Sequence, residues 1–66
     1  MYEILQAMKV ATDNIDNKVK QVEEALGAKA AKSFDEYCAM CGEIRGLLTA
    51  RSFITDLTRN MEKLDE

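Results

Sequence analysis

A seven-residue apolar repeat runs without interruption through the first 26 residues of the chain. Its positions are separated by alternating steps of four and three residues: Met1, Leu5, Met8, Thr12, Ile15, Val19, Val22 and Leu26. This spacing keeps one narrow stripe of side chains on one side of an α-helix that packs along another helix. Thr12 is the only polar member, and its methyl group can still face the seam. The repeat therefore predicts a helix from Tyr2 to Leu26 that needs a helical partner.

A turn followed by a helix start is predicted directly after this repeat. Gly27 is expected to close the last turn of the first helix with a positive φ, a conformation that glycine adopts easily. Ser33 and Glu36 have the spacing of a capping box, in which the serine caps the helix and the glutamate returns to the serine amide. The chain has no proline, so nothing rigid interrupts a long second helix. We predict a turn over 27–33 and a second helix over 34–64.

The second helix carries two apolar stripes that are offset by one residue. The early stripe is Phe34, Tyr37, Cys41, Ile44 and Leu48, and the later one is Leu47, Ala50, Ile54, Leu57, Met61 and Leu64. Such an offset predicts a local change of winding in a coiled coil and a broad apolar surface in the middle of the helix.

These patterns predict an all-α protein with a single domain over 1–66, an antiparallel two-helix hairpin of coiled-coil character. The residues expected to pack between the two helices are Leu5, Met8, Ile15, Val19, Val22, Leu26, Phe34, Tyr37, Ile44 and Leu48. Two helices bury only one contact line, so the remaining apolar positions have no place inside a hairpin (Ile4, Val10, Met40, Leu47 and Phe53 among them). The hairpin is therefore expected to be oligomeric or bound to a protein partner.

Charge and composition argue against several classes of function. The net charge is −3, whereas a nucleic-acid surface needs a positive patch. Charged residues recur too often for a membrane span, and the first residues do not have the pattern of a secretory signal. Histidine is absent, and the carboxylates fall on polar helix faces or caps. We therefore expect no enzyme, no catalytic residues, no cofactor and no small-molecule substrate.

Cys38 and Cys41 have the spacing of a zinc half-site or a redox pair. A structural zinc ion needs four ligands, so two copies of the chain would have to share one ion. A redox pair of the thioredoxin type follows a strand, whereas both cysteines here lie inside a predicted helix. The favoured interpretation is that they pack as small apolar side chains, reduced in a cytoplasm, with no metal site.

The stretch from Gly42 to Gly46 is unusual in a helix of good helix formers. Each glycine costs about 0.5–1 kcal/mol relative to alanine, which suggests a compensating purpose. With Cys38 and Ala50 the two glycines form a strip of small residues that would let another helix approach closely. A bend in the helix is the alternative. A phosphate-binding loop would need a preceding strand and a following lysine, which are absent.

The predicted partner interface consists of this strip and its neighbours: Cys38, Gly42, Arg45, Gly46, Ala50 and Phe53. Arg45 and Arg51 flank the strip. Two roles are open for them: they pair with carboxylates of a partner, or their stems cover apolar surface while their heads remain in water.

Residues 32–57 resemble a group of small helical-hairpin proteins of tailed bacteriophages that are encoded near head and portal genes. The resemblance depends on Lys32-Ser33-Phe34-Asp35-Glu36-Tyr37 and on the run Gly42-Glu43-Ile44-Arg45-Gly46-Leu47. It implies a virion protein, made in the host cytoplasm, that packs against other subunits of the head, portal or head-to-tail connector. The partners would be further copies of the chain, a larger phage structural protein, or both.

Two other functions remain open. A small phage protein of this kind could bind and inhibit a host protein by laying one helix into a groove. A nucleic-acid accessory of genome packaging is a further alternative, which the acidic balance disfavours.

Overall fold

The computed structural model describes residues 2–28 and 31–64. Two helices, α1 (Tyr2–Gly27) and α2 (Phe34–Leu64), pack antiparallel as a hairpin with principal extents of 50 × 14 × 12 Å. Two predicted features fall partly outside the described residues, namely the apolar repeat at its first position, Met1, and the turn at Lys29 and Ala30. Asp65 and Glu66, which follow the predicted second helix, also lie outside them.

The end of α1 differs from the expectation at Gly27. This glycine is the last helical residue, and its φ is not positive. The amide of Ala28 still donates to the Glu24 carbonyl oxygen at 2.9 Å, so the helical hydrogen bonding runs one residue past Gly27. The glycine is therefore not needed here for an unusual backbone conformation.

Ser33 caps the start of α2. Its hydroxyl oxygen accepts a hydrogen bond from the Glu36 amide at 3.1 Å, which satisfies one of the free donors of the first turn. The reciprocal half of the predicted capping box is displaced by one residue, because the Glu36 carboxylate accepts from the amide of Lys32, at 2.6 Å, instead of the Ser33 amide. The cap therefore fixes the first residue of α2 and also holds the last residues of the turn.

The core of the hairpin is small. Among the described residues only Val19 and Val22 are buried, and they keep 8% and 6% of their surface exposed. The other predicted α1 seam residues, which are Leu5, Met8, Ile15 and Leu26, are half-buried. They form one stripe that faces α2 along its length.

A single seven-residue phase runs through α2, without the predicted offset. The half-buried residues that follow steps of four and three are Met40, Ile44, Leu47, Arg51, Ile54, Thr58 and Met61. The phase is hard to recognise in the sequence because two of its positions, Arg51 and Thr58, are polar. The predicted offset between Leu48 and Leu47 arises because Leu47 belongs to this seam, whereas Leu48 lies beside it.

Three residues that were predicted for the seam lie largely in solvent. Phe34, Tyr37 and Leu48 expose 76%, 49% and 48% of their surface, whereas Ile44 is half-buried as a seam residue. Phe34 and Leu48 each follow a seam position by one residue and so point to the side. Tyr37 has the seam phase but precedes Met40 by one turn, near the end of the hairpin where α1 stops.

The two polar seam residues of α2 make contacts across the hairpin. Arg51 donates from Nε and Nη2 to the two carboxylate oxygens of Asp16, at 2.6 and 3.3 Å. This hydrogen bonding to a carboxylate raises the pKa of the guanidinium. The Thr58 hydroxyl donates to the Ile54 carbonyl oxygen at 2.9 Å and contacts the Met8 sulfur at 3.7 Å. Arg51 therefore has its carboxylate partner within its own chain.

Candidate protein-binding surface

The hairpin has two long sides of different chemistry. One side is formed in both helices by the residues that directly precede a seam residue, as Lys18 precedes Val19 and Glu43 precedes Ile44. The Lys18 Nζ and Glu43 Oε1 atoms are 3.8 Å apart, so these two stripes lie on the same side. The charged residues in the two stripes are Lys18 and Glu43, together with Glu36 in the first turn of α2.

Apart from the uncharged Asn14 and Asn60, the open-end half of this side is apolar. We call it the apolar face, and it consists of Ile4, Ala7, Ala11, Gly46, Ala50, Phe53, Leu57 and Leu64. Its large side chains are strongly exposed, with 53% of Ile4, 70% of Phe53, 54% of Leu57 and 82% of Leu64 open to solvent. Four large apolar side chains on one uncharged surface indicate a site for another protein.

The other long side is formed by the residues that directly follow a seam residue. Gln6 and Lys9 of α1 line one open groove of about 620 Å³ together with Thr55, Arg59 and Glu62 of α2, which shows that these two stripes also share a side. We call this side the charged face, because eight of its residues are ionised: Lys9, Asp13, Asp16, Lys20, Glu23, Arg45, Arg59 and Glu62. Four of these residues are basic and four are acidic, and such a mixture is typical of a solvated helix surface.

A smaller aromatic cluster lies at the start of α2. The rings of Phe34 and Tyr37 stack with their centroids 6.4 Å apart. The neighbouring Cys41 thiol raises the pKa of the Tyr37 phenol, mainly through a side-chain hydrogen bond. Leu48 continues this stripe beside Cys41 and lines a shallow groove that extends to Phe53. This cluster offers a second exposed apolar surface, smaller than the apolar face.

The predicted interface residues divide between three surfaces. Gly46, Ala50 and Phe53 belong to the apolar face, where they are joined by residues of α1. Gly42 lies on the outer surface of α2, whereas Arg45 belongs to the charged face and Cys38, seven residues earlier, has the register of the same side.

The glycines do not serve contact between α1 and α2. A Cβ atom added at Gly42 or Gly46 would meet nothing within 4 Å. The close helix approach predicted from the small-residue strip is therefore absent within the hairpin. The space at Gly46 is open to a second molecule.

The cysteines are both free, with Cys38 exposed and Cys41 half-buried. No group of three or more histidine, cysteine, aspartate or glutamate side chains is close enough to hold a metal ion within residues 2–28 and 31–64. In the same residues, neither helix contains a stretch with the length and hydropathy of a membrane span.

The predicted interface lacks five of the eight residues of the apolar face, namely Ile4, Ala7, Ala11, Leu57 and Leu64. The sequence pattern gives Ile4 as surplus apolar surface and places Leu57 and Leu64 in the later stripe of the second helix. The signal that groups them is their register, one residue before each seam position in both helices. That register can be read only after the seam of α2 is known, and Arg51 and Thr58 conceal it.

The exposed apolar residues suggest a protein partner, since they exceed what the hairpin covers itself. Comparisons of the chain with protein-family models, with curated proteins and with solved structures found no match.

Proposed function

We propose that this chain is a small non-enzymatic structural or assembly protein of a tailed-phage particle. It works by packing its helices against other protein subunits of the head, portal or connector region. The observation that carries the proposal is the apolar face, which occupies half of one hairpin side and has large exposed side chains and no charge.

The energetics of a two-helix chain support a role that depends on partners. Val19 and Val22 are the only buried side chains among the described residues, and a core of this size contributes little to folding. Covering Phe53, Leu57 and Leu64 with another protein would remove most of their apolar surface from water. At about 25 cal/mol per Å² this burial stabilises both the contact and the fold. A chain of this kind gains its full stability in an assembly.

The phage setting comes from the resemblance of residues 32–57 to small hairpin proteins of tailed phages. In the structure the quoted run from Gly42 to Leu47 lies in the middle of α2, and its Gly46 borders Ala50 on the apolar face. The resemblance and the candidate surface therefore share a segment, which supports a role in contacts between virion subunits.

Mass spectrometry of purified particles tests this function. Particles of the phage that encodes the chain are purified by two successive density gradients, and the chain is quantified relative to the major head subunit. A constant copy number per particle through both gradients is expected. Particles from a deletion strain complemented in trans serve as the control.

A chain that is found in infected-cell extracts but lost from the particles would contradict the proposal. That outcome would favour the regulatory alternative, in which a helix of this chain occupies a groove on a host protein.

A further inference from the structure

We infer that the apolar face is the contact between two copies of this chain, which pair into a four-helix bundle. The inference rests on the proposed function, which it deepens by naming the first partner of the hairpin as a second hairpin. Three observations carry it: the surface area of the chain, the charge of its two long sides and the exposure of Phe53 and Leu57.

The isolated hairpin exposes more surface than its mass predicts. Its accessible surface is 5167 Å², whereas a compact monomer of 7.4 kDa has about 4,200 Å². The excess is about 950 Å², by the same scaling. A stable protein–protein interface of standard size buries about 800 Å² on each partner. One isologous contact with a second copy would therefore bring the hairpin to the exposure of an ordinary folded protein.

Charge selects the side on which two identical chains can meet. Contact through the charged face would take eight ionised residues out of water, four basic and four acidic, and this desolvation costs free energy unless every charge finds a partner. The apolar face itself has no ionised residue, and the charges nearest to it on that side, Lys18 and Glu43, already pair with each other. Self-association through the apolar face therefore brings no unpaired charge out of water.

The shape of the apolar face also suits a symmetric contact. Phe53 and Leu57 lie one helical turn apart near its middle, with 70% and 54% of their surface exposed. Around them are Ala50, Gly46 and Ala7, whose small side chains leave room for large ones. In an isologous pair the same surface of both copies forms the contact. Phe53 and Leu57 of each copy can therefore pack against the small residues of the other. The pairing gives the helix packing of a four-helix bundle.

Sedimentation equilibrium of the purified chain tests this contact. The wild-type chain is expected at twice 7.4 kDa. Leu57→Glu puts a charge in the centre of the apolar face and should weaken the dimer by at least ~30-fold, the effect of losing a strong interface residue. Leu48→Glu is the matched control, because Leu48 is also an exposed α2 leucine but lies on the opposite side; this variant should remain a dimer.

A variant in the other helix separates loss of pairing from loss of folding. Ala7→Glu also charges the apolar face, but Ala7 is exposed in α1, so the hairpin itself can keep its helicity by circular dichroism. It should dissociate the dimer as Leu57→Glu does. In addition, the melting temperature of the wild-type chain should rise with protein concentration, because a dimer is stabilised by mass action.

The inference is overturned if the wild-type chain is a monomer at millimolar concentration, or if Leu48→Glu dissociates it as strongly as Leu57→Glu. Its failure is distinguishable from failure of the proposed function. A monomer that still copurifies with particles, and that Leu57→Glu removes from them, would assign the apolar face to a different virion subunit. A dimer that is absent from particles would leave the pairing intact and remove the phage structural role.

Discussion

Arg51 occupies a position that the repeat of α2 would ordinarily fill with an apolar side chain. Its Nε atom lies 2.6 Å from the Asp16 carboxylate, across the hairpin and 35 residues away in sequence. A two-point contact between a guanidinium and a carboxylate has a fixed geometry, so it selects one register of the two helices. The pair is 41% and 48% exposed, so its contribution to stability is small, and its main effect is on register.

A double-mutant cycle with Asp16→Asn and Arg51→Gln measures this contact. We expect a small favourable coupling free energy in chemical unfolding at fixed protein concentration, and it should decrease in high salt because the pair is partly exposed. The matched comparison is Lys18 with Glu43, whose charged atoms are 3.8 Å apart and which should couple less strongly. Equal coupling in both pairs would contradict a special role for Arg51.

Gly42 and Gly46 lie on different surfaces of α2, although both belong to the strip of small residues in the sequence. Both are exposed, and neither is close to α1. Gly42 lies on the outer surface, whereas Gly46 belongs to the apolar face. Only Gly46 is therefore expected to matter for pairing, and Gly42 remains a residue for which the structure shows no contact.

The helices themselves were largely predictable, because their signals are local. The step pattern of α1 from Leu5 to Leu26 needs no knowledge of the partner helix, and the Ser33 cap marks the first turn of α2. The seam of α2 was not predictable in the same way. Its phase passes through Arg51 and Thr58, and the contacts that place these polar residues there are with Asp16 and Met8, which are distant in sequence. The apolar face is defined by its register relative to that seam. It could therefore not be identified from the sequence before the seam of α2 was known.

Ser33→Ala tests how far the cap determines the start of α2. Loss of the hydrogen bond between the Ser33 hydroxyl and the Glu36 amide should lower the free energy of unfolding by about 1 kcal/mol. Hydrogen exchange should speed up in the first turn of α2 and not near its C-terminal end. Ser52→Ala is the control, because Ser52 is exposed inside the same helix and alanine is the better helix former there. Equal effects of the two substitutions would show that the cap contributes nothing.

The hairpin as a whole has an elongated shape with very little interior. Its radius of gyration is 15.2 Å, whereas a compact chain of 66 residues has about 11 Å. The buried residues Val19 and Val22 lie in the half of α1 nearer the turn, and the apolar face occupies the open-end half. Packing inside the chain is thus tightest near the turn, while the surface available for a partner is at the other end.

Val22→Ala should show how much this small interior contributes. Removing two methyl groups from a side chain with 6% exposure should cost about 1.5–2.5 kcal/mol of unfolding free energy. Val10→Ala makes the same chemical change at a side chain with 58% exposure and should be nearly neutral. Urea unfolding followed by circular dichroism, at one protein concentration, compares the two. A similar loss in both variants would mean that the described interior is not the stabilising part of the fold.

The concentration of ionised residues on one long side, the charged face, limits how large a self-assembled complex can become. A hairpin with an apolar surface on both long sides could assemble into open-ended fibres, because each added copy would leave one apolar surface uncovered. Here the side opposite the apolar face carries eight ionised residues and remains hydrated after pairing. If two hairpins pair through the apolar face, as inferred above, growth stops at two copies, and the pair presents its hydrated sides and the aromatic clusters of Phe34 and Tyr37 to any larger structure.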